Sequence, residues 1–178
     1  MEKQTAIAYI GKKLDDAGCG LLVHSSGYRD IVPALDKLNP KIDNVIEIGT
    51  HNGLSTAILT CWSTRVFTFD ISKRNSEFVW NLLGVRNKIS TFAGNRDELE
   101  WEINYIQESW KNAGVDVNFD FAFVDGSHDY EWVKRDFELV KFTKRVMFHD
   151  SNICPDVRQF VNEIGAVDLS WNISYWEE

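Results

Sequence analysis

Cysteine is scarce in this sequence, which has three cysteines in 178 residues. They are Cys19, Cys61 and Cys154, and no two of them have the C-x-x-C spacing of zinc sites and thiol–disulfide centres. Their odd number also argues against a complete set of disulfides. We therefore expect neither a disulfide framework nor a zinc cluster, and a reducing compartment, the cytoplasm, as the location.

Long apolar runs and excess positive charge are missing as well. No stretch approaches the roughly eighteen apolar residues of a membrane-spanning helix. Lys and Arg number 19 against 27 Asp and Glu, which gives a formal net charge of -8. Because an acidic surface repels polyanions and anionic membranes, we expect neither nucleic acid nor a membrane as partner. The first twenty residues are unlike a signal peptide because they are rich in charge: Glu2, Lys3, Lys12, Lys13, Asp15 and Asp16.

Repeats, low-complexity tracts and Pro/Ser-rich linkers are also absent, which indicates one continuous domain. The hydrophobic fraction of 44% is that of a folded globule. Helical spacing predicts a first helix through Leu14 that Gly18 and Gly20 end, and a second helix after Asp30 with Pro33 in its first turn. Short apolar runs then predict five strands, at 44–50, 65–70, 88–94, 119–125 and 145–150.

Helical patterns separate these strands, so the sequence predicts an α/β fold. Its sheet should be doubly wound and mostly parallel, with helices on both faces. In such sheets, ligands bind beyond the carboxyl ends of the strands. Polar residues and glycines gather at those ends, strand after strand: Glu47 with Gly49, Asp70, Gly94 with Asn95, Asp125, and His149 with Asp150.

The segment "EIGTHNGLST" (47–56) forms a glycine-containing turn between the first strand and a helix. It does not satisfy the dinucleotide fingerprint G-x-G-x-x-G, because His51 stands where the second glycine would be. A nicotinamide-dependent dehydrogenase is therefore a weak alternative. Asp70 follows about twenty residues later and could accept hydrogen bonds from both hydroxyls of a ribose. Alternatively, Asp70 or Ser72 could cap the next helix.

Four segments, taken in order and spacing, resemble class I S-adenosylmethionine-dependent methyltransferases, in the small O-methyltransferase-like branch of the family 24 type. They are "VIEIGTHNGLST", "VFTFD", "FDFAFVDGSHDYEWVKRDFELV" and "RVMFHD". The resemblance covers residues 44–164 and implies a Rossmann-like core there, with 1–43 as an N-terminal helical cap and 165–178 as a C-terminal strand. It implies S-adenosylmethionine as the cofactor. The implied cofactor-binding residues are Glu47, Gly49, Thr50, His51, Gly53 and Ser55 for its amino-acid half, Asp70 for the ribose, and Gly94 and Asn95 beside the adenine.

Metal-dependent members such as catechol O-methyltransferase bind magnesium through an aspartate after the fourth strand and an Asp-Asn pair after the fifth. By this resemblance Asp125 and Asp150 would be ligands of Mg²⁺ or another divalent cation. Ser151 stands in the place of the asparagine, and Asn152 follows as the third candidate ligand. His128 matches the position of the general base in these relatives, and Asp125 is the second predicted catalytic residue. The alternative is that His128 is a histidine at the N-terminus of a helix, bonded to Asp129 or to backbone.

His149 is either a supporting partner of this site or a ligand. Strand alternation predicts that the neighbouring side chains of His149 and Asp150 point to opposite faces of the sheet.

The resemblance implies methyl transfer to a hydroxyl of a small-molecule acceptor, which could be a sugar, a phenol or another alcohol. A nucleic-acid N-methyltransferase is disfavoured, because "DGSH" stands where such enzymes carry an (D/N)PP(Y/F) loop. The alternative from another class is a non-catalytic S-adenosylmethionine-binding or assembly module. The family usually ends its sheet with a strand pair, whereas the fourteen residues after Ile164 have comfortable room for one strand or for a shortened pair. Through that C-terminal strand a second copy of the chain could pair.

Overall fold

Strands and helices alternate along the chain in the computed structural model, which describes residues 3–18, 26–72, 76–114 and 118–178. Within these ranges the strands are β1 (Ile42–Ile48), β2 (Ser63–Asp70), β3 (Ile89–Ala93), β4 (Phe121–Val124), β5 (Arg145–His149), β6 (Val167–Ser170) and β7 (Ile173–Glu177). The helices are α1 (Lys3–Asp16), α2 (Ser26–Leu38), α3 (Leu54–Leu59), α4 (Ser76–Leu83), α5 (Arg96–Asn112), α6 (Tyr130–Val140) and α7 (Pro155–Glu163).

The strands form one sheet of order β3-β2-β1-β4-β5-β7-β6. The first five strands pair in parallel, and β7 lies antiparallel between β5 and β6. The strand order reverses between β1 and β4, so the crevice beyond their carboxyl ends is where this architecture binds ligands. The predicted doubly wound, mostly parallel sheet is confirmed, and its last two strands are the shortened pair.

Two apolar cores cover the two faces of the sheet. Because neighbouring strand residues point to opposite faces, Val45 and Phe121 pack with helices α1 to α4, whereas Ile46 and Ala122 pack with α5 to α7. Burial on both faces explains why the strands are continuous apolar runs in the sequence. Among the described helices, none combines the length and the apolar character that crossing a membrane requires.

Helix α2 differs from its prediction. It begins at Ser26, so Asp30 lies inside the helix and Pro33 lies in its interior rather than in its first turn. Asp30 resembles a capping residue by type, but its side chain is turned inward and accepts a hydrogen bond from Asn172 at 3.2 Å. A tertiary contact therefore overrides the local capping signal. Helix α1 ends at Asp16, before Gly18, and Gly20 lies outside the described residues.

Candidate active site

A cavity of about 800 Å³ opens beyond the carboxyl ends of β1, β2, β4 and β5. This volume falls within the range of about 300–1,000 Å³ that is usual for small-molecule and cofactor sites. Among its lining residues are eight that the sequence analysis named as candidates: Gly49, His51, Ser55, Asp70, Asp125, His128, His149 and Asp150. The topology thus gathers the tips of four strands around one space.

Gly49 allows β1 and β4 to approach closely at the floor of the cavity. Its φ of 98° is in the region that favours glycine, and a Cβ atom there would lie 2.1 Å from the carbonyl oxygen of Asp125. The amide of Asp125 in turn donates to the carbonyl of Ile48 at 2.8 Å. The glycine therefore fixes where Asp125 leaves its strand.

Asp70 holds the turn that follows β1. Its Oδ2 accepts from the backbone amides of Thr50 and His51, both at 3.0 Å, and its Oδ1 accepts from the amide of Ser72 at 3.0 Å. A carboxylate offers about four lone-pair positions. Three are used by backbone, so there is room for about one hydroxyl rather than for both hydroxyls of a ribose without rearrangement.

Three of the other predicted cofactor residues lie behind the cavity wall. Glu47 is fully buried, and its Oε2 accepts from Thr56 Oγ1 at 2.5 Å. Thr50 is also buried, with its hydroxyl 2.6 Å from that of Thr68. Gly53 has φ 81°, and a Cβ atom would lie 2.5 Å from the indole nitrogen of Trp80. These residues shape the turn from within rather than line the cavity.

Gly94 and Asn95 form the start of helix α5. The side-chain oxygen of Asn95 accepts from the amides of Asp97 and Glu98 at 3.0 and 3.1 Å, and Glu98 accepts from the amide of Asn95 at 2.7 Å. This reciprocal capping arrangement engages Asn95 locally. Arg96, the next residue, and Leu99, one turn further, line the cavity instead.

Arg96 is a residue that the sequence analysis missed. Its guanidinium makes two 2.8 Å hydrogen bonds to the buried carboxylate of Asp136 and lies 4.3 Å from the ring centroid of Trp132. Asp136 also packs against Gly126, where a Cβ atom would come within 3.0 Å of its Oδ2. The pair therefore braces the β4–α6 loop, and no local signal links residues forty positions apart.

The opposite end of the cavity holds an acidic–histidine cluster of Asp125, His128, His149 and Asp150. His128 Nε2 lies 2.8 Å from Asp150 Oδ2 and 3.7 Å from Asp125 Oδ1. His149 is buried, and its Nδ1 lies 3.1 Å from Asp125 Oδ1 and 3.2 Å from Asp150 Oδ1. Two carboxylates and two imidazoles from the ends of β4 and β5 thus meet in one place.

The predicted opposite orientation of His149 and Asp150 is wrong. Strand β5 ends at His149, and Asp150 takes a left-handed conformation with φ 56°, so the alternation of a strand no longer applies to it. The side chains of His149 and Asp150 therefore both line the cavity, together with Asp125. Behind His149, its Nε2 lies 3.4 Å from Asp30 Oδ2 on α2.

Asn172, in the turn between β6 and β7, was also missed. It is fully buried, and its amide donates to Asp150 Oδ1 at 2.7 Å and to Asp30 Oδ2 at 3.2 Å. Its side-chain oxygen accepts from the backbone amide of Asn152 at 3.1 Å. The C-terminal strand pair therefore supports the site directly.

The predicted ligand Asn152 does not join the two aspartates. Its side chain is exposed and its amide donates to the carbonyl of Trp171. The left-handed turn at Asp150 directs Asn152 toward the strand pair instead of the cavity. Ser151, in the position of the family's asparagine, is fully buried, and its hydroxyl has no hydrogen-bond partner among the described residues.

Protonation in the cluster follows from its charges. Hydrogen bonding toward Asp125 and Asp150 raises the pKa of His128 to about 10. Burial opposes a charge on His149, but Asp125 and its acidic neighbours outweigh burial and raise the pKa of this imidazole. For Asp150, burial favours the neutral acid and so raises its pKa. The hydrogen bonds from His128 and Asn172 outweigh burial and hold the pKa of Asp150 below its usual value. Without a cation, the protonated imidazole of His128 therefore supplies positive charge beside the two carboxylates.

The donor set of the cluster fits a divalent cation. One ligand atom each from Asp125, His149 and Asp150 lies within 4.8 Å of the others. Two carboxylates with an imidazole nitrogen suit an ion such as Mn²⁺ better than Mg²⁺, which prefers oxygen ligands alone.

The sequence model of a family described as a methyltransferase domain, family 24, matches residues 46–151. This segment contains the turn after β1, Asp70 and the acidic–histidine cluster. The chain belongs to this methyltransferase family. The assignment to class I S-adenosylmethionine-dependent methyltransferases, made from four sequence segments, is thereby confirmed. No curated protein sequence matches the chain.

Solved structures share the fold of this family member at low sequence identity. The O-methyltransferase from Bacillus cereus, solved in complex with SAH, has a TM-score of 0.61 at 16% identity over 96% of this chain and 91% of its own. Cofactor-bound Rv0187 from MTB has a TM-score of 0.62 at 14% identity, over 97% and 89%. Precorrin 8w decarboxylase from Methanobacterium thermoautotrophicum has a TM-score of 0.58 at 16% identity, over 86% and 91%. Because the last is named as a decarboxylase, the fold alone does not define the reaction.

Proposed function

We propose that this protein transfers a methyl group from S-adenosylmethionine to a hydroxyl group of a small-molecule acceptor. The observation that carries this proposal is the single cavity that joins Asp70 to the acidic–histidine cluster. S-adenosylmethionine, when bound, supplies an electrophilic methyl group. The residues of the chain contribute by holding donor and acceptor in line and by handling one proton.

Asp70 and the turn after β1 support the donor end of the proposal. The Asp70 carboxylate has room for about one further hydrogen bond, which a ribose hydroxyl can supply. Gly49, His51 and Ser55 also line the cavity, and they follow β1, which lies between β2 and β4 in the sheet. A donor anchored at Asp70 would therefore extend toward the cluster.

His128 is the proposed general base, and its surroundings set a condition on that role. With a pKa of about 10 it carries a proton at neutral pH, so it accepts another group's proton only when the charges of Asp125 and Asp150 are offset. We therefore include a divalent cation in the proposal, held by Asp125, His149 and Asp150. The chemistry supplied there is a lowered pKa of an acceptor hydroxyl.

The first experiment is calorimetric titration of S-adenosylmethionine and S-adenosylhomocysteine into the purified protein. We expect binding by the wild type, and its loss in Asp70→Ala. Asp97→Ala is the matched control, because Asp97 is an exposed aspartate on α5 that does not line the cavity. If neither ligand binds the wild type, the proposed function is wrong.

The second experiment follows S-adenosylhomocysteine formation with sugar, phenol and other alcohol acceptors, in metal-stripped protein and after addition of Mg²⁺ or Mn²⁺. We expect greater activity with Mn²⁺, little response to either ion in Asp125→Asn, and a rate lower by about 10²–10⁴ in His128→Gln. Equal rates with and without metal would remove the cation from the proposal.

A non-catalytic S-adenosylmethionine-binding module is the second candidate. It is supported by the open acceptor end, since no residue of the described ranges 3–18 and 26–43 lines the cavity. The close approach of Asp125, His128 and Asp150 argues against this candidate, because cofactor binding alone does not require these three side chains to meet. Cofactor binding without turnover on any acceptor, and unchanged in His128→Gln, would favour this candidate.

A further inference from the structure

A second set of ligand atoms lies beside the cluster and shares two of its residues. It consists of His128, Asp150 and Cys154, whose ligand atoms lie within 4.8 Å of one another. His128 comes from the β4–α6 loop, Asp150 from the end of β5 and Cys154 from the start of α7. The set is distinct from the group of Asp125, His149 and Asp150, because it adds a sulfur and excludes the buried histidine.

The backbone brings the thiol of Cys154 to this place. After Asp150 the chain turns, and the amide of Cys154 donates to the carbonyl of Asp150 at 3.0 Å. Cys154 occupies the N-cap position of α7, where serine, threonine, aspartate or asparagine is usual. Its side chain makes no capping hydrogen bond. Helix capping therefore does not explain a cysteine here, and Cys154 is partly exposed.

We propose that His128, Asp150 and Cys154 form a binding site for a thiophilic divalent cation of the Zn²⁺ class. One sulfur, one nitrogen and one oxygen ligand match the donors that Zn²⁺ takes in proteins, and three protein ligands leave a fourth position for water. The metal–sulfur bond forms as the thiol proton passes to solvent. The absence of a C-x-x-C pair does not oppose this site, because its only sulfur ligand is Cys154, and His128 comes from a different loop from Asp150 and Cys154.

Occupation of this site would stop methyl transfer, a consequence that rests on the proposed function. A zinc-type ion bound there would occupy His128, which could then no longer accept a proton. It would also occupy Asp150, which is one of the three ligands proposed for the other cation. The site therefore makes the protein sensitive to zinc-type ions, while ions that prefer oxygen and nitrogen take Asp125, His149 and Asp150.

The test uses Co²⁺ as a spectroscopic probe in a protein whose Cys19 and Cys61 are replaced by serine, so that Cys154 is the remaining thiol. We expect a thiolate-to-cobalt charge-transfer absorption that saturates with one equivalent of Co²⁺. It should vanish in Cys154→Ser and persist in Asp125→Asn, because Asp125 supplies a ligand atom to the other group and none to this one. Because serine is a favoured N-cap residue, Cys154→Ser should fold, and circular dichroism checks this.

Absence of the band in the protein with Cys154 as its single thiol, or its persistence in Cys154→Ser, would overturn the site. The inhibitory role has a separate readout. Zn²⁺ should inhibit methyl transfer by the wild type, and Cys154→Ser should need at least about tenfold more Zn²⁺, in line with the loss of one ligand. A cobalt band without any methyl transfer would leave the site standing while the proposed function fails.

Discussion

At the scale of single residues, steric and electrostatic demands concentrate at a few positions near the end of β1. Gly49 is the clearest, because the backbone of Asp125 occupies the space of a Cβ atom. Glu47 is another: it is fully buried, and its Oε1 has no hydrogen-bond partner among the described residues. Gly49 allows the close approach of two backbone segments, and Glu47 lowers the stability of the fold when its buried carboxyl group is ionised.

Replacing Gly49 with alanine should destabilise the fold by at least about 2 kcal/mol, because it combines a left-handed backbone with a steric clash. Gly84→Ala is the matched control. Gly84 also has positive φ, at 69°, but nothing lies within 4 Å of its added Cβ atom. Urea unfolding of both variants measures the difference, and equal losses would argue against close approach as the reason for Gly49.

Burial raises the pKa of Glu47 from 4.5 to about 7. Between these values the folded state keeps a proton that the unfolded state has lost, so this group makes stability fall as pH rises through the window. At about 1.4 kcal/mol for each tenfold change in proton affinity, the full cost is on the order of 3 kcal/mol above pH 7.

Glu47→Gln should remove this cost, so the variant should gain stability relative to the wild type as pH rises from about 5 to 8. Urea unfolding across that range measures the gain. A stability difference that is independent of pH would show that Glu47 is ionised in the fold throughout.

At the scale of secondary-structure elements, the short strand pair β6–β7 has a role beyond completing the sheet. Its turn carries Asn172, which bonds Asp150 at the site and Asp30 on α2. Three elements that are distant in sequence therefore share one side chain. Without the Asn172 amide, the carboxylates of Asp30 and Asp150 would both lose a hydrogen-bond donor that lies between them.

Asn172→Ala should lower the affinity for Mn²⁺ about tenfold to a hundredfold, as removal of supporting hydrogen bonds usually does in metal sites. Ser174→Ala is the control, because Ser174 lies on β7, is also fully buried and bonds Asp168 instead. Calorimetric titration of Mn²⁺ into both variants provides the comparison. An unchanged affinity in Asn172→Ala would restrict Asn172 to a purely structural role.

At the scale of the whole molecule, the sheet has a free edge at β6. This strand is four residues long, Lys37 donates to the carbonyl of Leu169, and Arg158 pairs with Asp168. Short length and charge protect an edge from pairing. On the other hand, Val167 and Trp171 are 58% and 66% exposed there. Pairing of two copies through this strand stays a prediction.

Sedimentation velocity tests that pairing. If the edge joins two copies, the wild type should sediment as a dimer and Val167→Lys as a monomer, because a lysine on an edge strand opposes strand pairing. Trp101→Lys is the control and should leave the dimer intact, because Trp101 is an exposed residue on helix α5 and does not belong to β6. A wild type that stays monomeric at all concentrations would contradict the prediction.

The sequence by itself determined the fold class and the strand tips that gather at the cavity. Periodicity and apolar runs act through local burial, and parallel strands bring residues such as Asp70, Asp125 and Asp150 to one edge whatever the details of packing. His128 follows Asp125 by three residues in the same loop and therefore lies at this edge as well. These inferences needed only the order of the elements.

Only the tertiary structure decided which polar groups meet. Asp30 and Asn172 are 142 residues apart, and Arg96 meets Asp136 across forty. The left-handed turn at Asp150, which reverses its expected direction and takes Asn152 away from the site, also has no signature in the local pattern. Hydrogen bonds and charges at such distances are set by how helices and turns pack on the sheet, because the chain's local spacing carries no information about these contacts.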